Sequence, residues 1–87
     1  MFYVYVLQSL KDSKLYTGFT DNLQKRILKH SFGKVFSTKS RRLLKLIYLE
    51  ICTNKKDAKQ REKYLKTGTG KNFIKARLKH YFKGRLA

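Results

Sequence analysis

The sequence predicts a small α/β domain of the α+β kind: a three-stranded antiparallel sheet covered by helices, in the order β-β-α-β-α-α. Three observations carry this expectation. The chain has 87 residues, enough for one domain and not for two. Two uncharged or nearly uncharged stretches, 2–9 and 43–52, have strand composition, while the charged segments after them carry apolar residues at helical spacing. There is no proline, no repeat and no low-complexity segment, and six Tyr and six Phe supply the apolar area that a core this small needs. The domain is expected to span residues 1–83, with 84–87 as a frayed basic tail.

The elements follow in chain order. Residues 2–9 are aromatic, β-branched and uncharged, and read as a strand. Lys11-Asp12-Ser13-Lys14 is turn chemistry, after which Leu15-Tyr16-Thr17 resumes a short strand, giving a hairpin. With the turn centred on Asp12-Ser13 and an even-numbered loop, Tyr16 would pair with Ser9 and share a face with Tyr5. Gly18 permits a conformation or a close approach that a side chain would forbid. Thr20-Asp21-Asn22 offers helix caps, so a helix is expected over 22–31 with Gly33 just beyond its end. Residues 34–42 read as a basic loop containing Phe36. Leu43–Cys52 is nearly continuous apolar sequence and predicts a well-buried third strand. Thr53-Asn54 can cap a second helix over 55–66, with Asp57 in its first turn. Gly68 and Gly70 punctuate, and a third helix is expected over Lys71–Phe82 with Ile74, Leu78 and Tyr81 on one face.

Charge limits the functional classes. Twenty-two Lys plus Arg stand against five Asp plus Glu, a formal net charge of +17. Such self-repulsion opposes folding and points to a polyanionic partner, nucleic acid before any other. The cations are spread over every element, which does not suit a membrane-surface helix. Cys52 is the only cysteine and His30 and His80 the only histidines, so neither an internal disulfide nor a Cys/His zinc site is expected. Cys52 reads as a small core residue. The first residues lack the pattern of a signal peptide and no segment reaches the length of a membrane span, so a soluble, cytoplasmic protein is expected.

Several residues could carry chemistry. Tyr5 and Tyr16 would share one face of the hairpin, either as half-buried sheet residues or as part of a site. On the first helix Leu23, Ile27 and His30 fall in one inward stripe with Arg26 at its border, and Arg26 and His30 are neighbours at i,i+4. They could line a cleft; equally, Arg26 could snorkel and His30 could be a satisfied core residue. Glu62 is the only acid in the interior of the second helix and shares a face with Ala58 and Leu65. It could pair with Lys66 at i+4. It could also hold a hard divalent cation, since Mg²⁺ often takes only one or two carboxylates and completes its sphere with water and phosphate oxygens.

Taken together, Tyr3-Val4-Tyr5, ten residues, then Tyr16-Thr17-Gly18 resembles the paired triplet of the GIY-YIG nuclease family. The similarity continues through Leu23-Gln24-Lys25-Arg26, His30 and Arg61-Glu62-Lys63, and so covers nearly the whole chain. It is closest to the small stand-alone bacterial members; the same domain type occurs in the excinuclease C subunit and in homing endonucleases. Tyr3 replaces the first Gly and Thr17 the Ile, and neither change removes a reacting group. The resemblance implies the GIY-YIG fold and a metal-dependent endonuclease acting on DNA phosphodiesters. By similarity Glu62 would anchor one Mg²⁺ or Mn²⁺ ion, Arg26 would donate to the phosphate, and Tyr5 would orient or deprotonate the attacking water, with Tyr16 and His30 assisting. Either Tyr5 or His30 could be the base.

Gly18 would let the backbone approach substrate, and Lys25, Lys34, Lys39, Arg41, Arg42, Lys71 and Lys75 could track phosphates. Such contacts position a nucleic acid without reading its sequence, so low specificity, selection by DNA structure and a role in repair or processing are expected. DNA is the expected partner, RNA a possible one, with no membrane and no obligate protein partner. A non-catalytic DNA- or RNA-binding module and a ribosome-associated basic protein are the alternatives.

Overall fold

Eight consecutive uncharged residues form the central strand, β1 (Phe2–Ser9), of a three-stranded sheet. The computed structural model describes residues 1–32 and 43–86. The flanking strands are β2 (Leu15–Thr20) and β3 (Leu44–Cys52), both antiparallel to β1. The helices are α1 (Leu23–Ser31), α2 (Lys55–Leu65), α3 (Gly68–Arg77) and α4 (Lys79–Leu86). This is the expected α+β architecture with one more helix. Among the described residues no helix is long and apolar enough to cross a membrane.

Alternation along β1 divides the molecule into two sides. Val4 and Val6 point toward α2 and α3 and form the buried core with Ala58, Leu65 and Ile74. Tyr3, Tyr5 and Leu7 point to the other side, where α1 lies: the phenol of Tyr5 is hydrogen-bonded to His30 and Arg26 of that helix. Cys52 is partly buried at the edge of the core and carries a free thiol, in keeping with its reading as an apolar filler.

The hairpin turn lies one residue earlier than predicted. Tyr16 pairs with Leu7 and not with Ser9. The buried Ser9 hydroxyl accepts from the amides of Lys11 and Asp12, Ser13 donates back to the Ser9 carbonyl, and Ser13 takes a left-handed φ of 63°. These bonds close the turn around Lys11-Asp12. Moving the centre by one residue shifts the partner by two, so Tyr16 keeps the face it was assigned.

Four other expectations are corrected. β3 is not well buried: it is an edge strand, and Leu46, Leu49 and Ile51 are exposed. An apolar run reads as a buried strand, but only the face toward α2 and α3 is covered. A register shift between Val6 and Leu7 leaves Ile47 without a partner in β1 and packs it against the core. The helix expected over 71–82 is two helices that divide at Leu78, whose backbone leaves the helical region (φ −109°, ψ 31°). Leu78 and Phe82 pack on the core, and the Tyr81 hydroxyl donates to Gln8 Oε1 at 2.6 Å. Finally, Gly68 and Gly70 lie inside the first turn of α3, because Thr67 is its N-cap and accepts from the Gly70 amide. Gly70 is required by close approach: a Cβ there would fall on the Tyr64 carbonyl. α4 continues through Leu86, where an irregular tail was expected.

Candidate active site

Gly18 lies directly across from Tyr5 in the β1–β2 register, and the Tyr5 ring lies over it. A Cβ at Gly18 would collide with the end of the phenol, so the glycine makes room for an aromatic ring to cover the neighbouring strand. Tyr5 is 1% exposed, yet its hydroxyl has polar company. The Arg26 Nε–H donates to it at 3.1 Å, and His30 Nε2 lies 3.0 Å away with the two rings edge to face. Since the phenol oxygen accepts from Arg26, its own proton is available to His30, and Nε2 is the acceptor in that arrangement.

The Asn22 side chain caps α1 by accepting from the Lys25 amide, and this start directs Leu23, Ile27 and His30 inward. Arg26 takes the border position that the periodicity assigned to it. His30 is buried, and burial, helped by the Arg26 charge, holds its pKa below the ordinary imidazole value. Folded protein therefore accepts this proton less readily than unfolded chain. Stability should be unaffected above the unfolded value of about 6.5 and decline as pH falls from there toward the lower folded value. Melting curves between pH 7.5 and 5 are expected to show a steeper loss of Tm in the wild type than in His30→Gln; parallel curves would contradict the assignment.

Glu62 reaches the same place from α2. Asn54 caps this helix through the amides of Lys56 and Asp57, and Ala58 and Leu65 turn inward. Its rotation is locked one residue before Glu62. Arg61 makes a two-pronged pair with Glu50 of β3, with bonds of 3.0–3.1 Å, and its guanidinium stacks 4.7 Å from the Phe73 ring centre. A helix held this way presents Glu62 toward β2. The carboxylate pairs with Lys66 at 3.1 Å, so the simple i,i+4 ion pair does form. Lys66 is 56% exposed, and such pairs contribute only about 0.3–0.5 kcal/mol, so the pair is easily exchanged for another cation.

Tyr5, Tyr16, Gly18, Arg26, His30 and Glu62 line a single cleft of about 460 Å³ at the β2 edge, between α1 and α2. All five side chains expected to act together are thus brought to one concavity. Among the described residues there is no group of three or more His, Cys, Asp or Glu side chains suited to a metal. The donor set offers one partly buried carboxylate facing open space. That suits a hard cation that keeps most of its water, such as Mg²⁺, and does not suit zinc.

The expected phosphate contacts divide. Lys71 lines this cleft, Lys25 lines a neighbouring hollow, and Lys75 is exposed on α3 away from both. Gly33, Lys34, Phe36, Lys39, Arg41 and Arg42 lie outside the described residues. Sequence reasoning overlooked Lys59, which lines the cleft, and treated Lys66 only as an ion-pair partner. The missed signal is the spacing of Lys55, Lys59, Glu62 and Lys66, at i, i+4, i+7 and i+11 on one helical stripe.

Comparison with known proteins agrees with this geometry. The family described as the GIY-YIG catalytic domain matches residues 1–81. A UPF0213 protein of Clostridium perfringens is 48% identical over 67 residues, covering 76% of this chain and 71% of that protein. One from Staphylococcus haemolyticus is 44% identical over 66 residues, 75% of this chain and 79% of the relative. One from Syntrophus aciditrophicus is 42% identical over 66 residues, 74% and 75% respectively. The UPF0213 designation states no activity. No solved structure matches the chain.

Proposed function

Since the chain belongs to the GIY-YIG family, we propose that it is a metal-dependent endonuclease that hydrolyses DNA phosphodiesters with little sequence specificity, selecting DNA by structure in repair or processing. One observation supports this above the rest: the Tyr5 hydroxyl is tied to both His30 and Arg26 in the cleft that Glu62 lines. A phenol–imidazole pair can serve as a base, a permanent cation can meet the phosphate and a carboxylate can anchor a metal ion, so the set is suited to hydrolysis of a phosphodiester.

In this reading Glu62 holds one Mg²⁺ or Mn²⁺ ion. When bound, the ion supplies positive charge at the phosphoryl and leaving oxygens. Arg26 spends its Nε–H on Tyr5 and offers its Nη groups to the phosphate as negative charge develops there. A water molecule gives a proton to the Tyr5 oxygen while Tyr5 gives its own to His30 Nε2. The water oxygen bonds to phosphorus, the bond to the 3′ oxygen breaks, and that oxygen takes a proton from solvent. In this reading Tyr5 and His30 act together as the base. Tyr16 lines the cleft beside them and assists in orienting the water.

The test is conversion of supercoiled plasmid to the nicked form. Wild type with Mg²⁺ or Mn²⁺ is expected to nick, EDTA to stop it, and Arg26→Ala to slow it about a hundredfold, the usual loss for one preorganised donor to a developing oxyanion. EDTA-sensitive nicking that survives Arg26→Ala unchanged would place the chemistry elsewhere. Tight, salt-sensitive binding without cleavage of any DNA form would leave the non-catalytic module.

A further inference from the structure

The cleft does not end at Arg26. Phe19 and Arg26 line both it and a second hollow of about 310 Å³, walled by the start of α1 on one side and the start of α2 on the other. Lys25 and Lys29 come to this hollow from α1 and Lys55 from α2, and among the described residues Asp21 is the only acid in its lining. Lys59 stands at the junction. It is one turn beyond Lys55, it lines the first cleft, and its ammonium sits 5.3 Å over the Phe19 ring. Phe2 stacks on Phe19 with ring centres 6.1 Å apart, so the floor between the two walls is aromatic.

Among the described residues none of Lys25, Lys29, Lys55 and Lys59 is in an ion pair. Three ammonium groups and a guanidinium therefore converge on one hollow, with the Lys59 ammonium at its junction with the cleft and, among the described residues, a single carboxylate in the lining. Such an arrangement repels itself unless a partner brings several negative charges at once. The spacing argues for a chain of charges over a single anion. Lys55 and Lys66 are separated by about 16 Å along α2, with Glu62 between them, and Lys71 continues the cationic lining beyond. The lone acid has cations on both sides, and the trough is lined with positive charge at both ends.

We propose that the second hollow is a substrate subsite: Lys25, Lys29 and Lys55, with Lys59 at the junction, hold the phosphates of a DNA strand on one side of the phosphate that sits at Arg26. Lys66 and Lys71 take the strand on the other side. A strand held at both ends passes through the site, which makes the cut internal. The stacked Phe2 and Phe19 rings face the sugars and carry no base-reading group, so the subsite adds affinity without sequence preference. The proposal relies on the nuclease reading for which phosphate is cut, and not for where the strand lies.

The experiment is binding of a fluorescent single-stranded oligothymidylate, followed by anisotropy in EDTA across a KCl series. The triple variant Lys25→Gln/Lys29→Gln/Lys55→Gln is compared with Lys11→Gln/Lys14→Gln/Lys63→Gln, which removes the same charge from outside the trough. Each lost phosphate contact to a single strand should flatten the slope of log affinity against log salt by about 0.7, so the first triple is expected to lose about two units of slope. The second is expected to lose less than half a unit. Equal losses in both would mean that net charge alone binds DNA, and would overturn the subsite. Plasmid nicking by the same proteins separates the two readings. A slope difference without any nicking keeps the subsite and removes the nuclease; nicking without a slope difference does the reverse.

Discussion

Glu62→Gln is expected to lower the rate of metal-dependent plasmid nicking about a thousandfold while leaving the fold in place. The magnitude follows from what the carboxylate supplies. Among the described residues it is the only acid lining the cleft, so in the proposed reaction its loss removes the protein's charged hold on the divalent ion, and several kcal/mol of transition-state stabilisation go with it. The folded state loses little. Among the described residues the side chain is paired with the half-exposed Lys66, and removing an i,i+4 pair of this kind costs about 0.3–0.5 kcal/mol, a Tm change of about 1–4 °C in a domain of this size. Glu50→Gln is the comparison. That acid also touches α2, but through Arg61, and its loss should cost about 1 kcal/mol of stability, lowering Tm by about 4–8 °C with the metal requirement retained. Titration with Mn²⁺ followed by electron paramagnetic resonance gives a readout independent of turnover: Glu62→Gln should lose the bound-ion signal and Glu50→Gln should keep it. The same signal in both variants and wild type would mean that Glu62 is not the ligand.

The parts of this molecule that were legible in the sequence are those written in short-range periodicity. The alternation of β1, the Asn22 and Asn54 caps and the inward stripe of α1 each depend on residues a turn or less apart. The parts that were not legible depend on what packs where. A run such as Leu43–Cys52 has the same composition at a sheet centre and at an edge, and only the order β2-β1-β3 makes β3 an edge. Nothing near Leu78 is a proline or glycine, yet the helix breaks there so that Tyr81 can reach Gln8, a partner 73 residues away. At the site, the ordered set of Tyr5, Tyr16, Arg26, His30 and Glu62 was visible because a resemblance joined residues that spacing alone could not. Lys29 carried no such signal, and Lys55 and Lys59 only the stripe they share with Glu62. Lysines on a helix usually mark a solvated face, and it is the approach of α1 and α2 around the β2 edge that turns theirs toward one another.

Gly18→Ala is expected to lower the nicking rate by about a hundredfold or more, although residue 18 carries no reacting group. The sequence suggested that this glycine lets substrate approach the backbone; the structure shows the space already taken by the Tyr5 ring. A methyl group there would drive the phenol aside and break its bonds to His30 and Arg26 together. Tyr5→Phe removes the hydroxyl directly and should lose a comparable factor, within the hundred- to ten-thousandfold range of general acid–base catalysis. The two explanations for Gly18 separate in the double variant. If the glycine acts by seating Tyr5, then Gly18→Ala added to Tyr5→Phe should cost less than threefold more, because the hydroxyl it would displace is already gone. If it acts by admitting substrate, the two losses should multiply, and KM should rise with Gly18→Ala in either background. A multiplied loss would return Gly18 to the substrate and leave the position of the Tyr5 phenol to Arg26 and His30 alone.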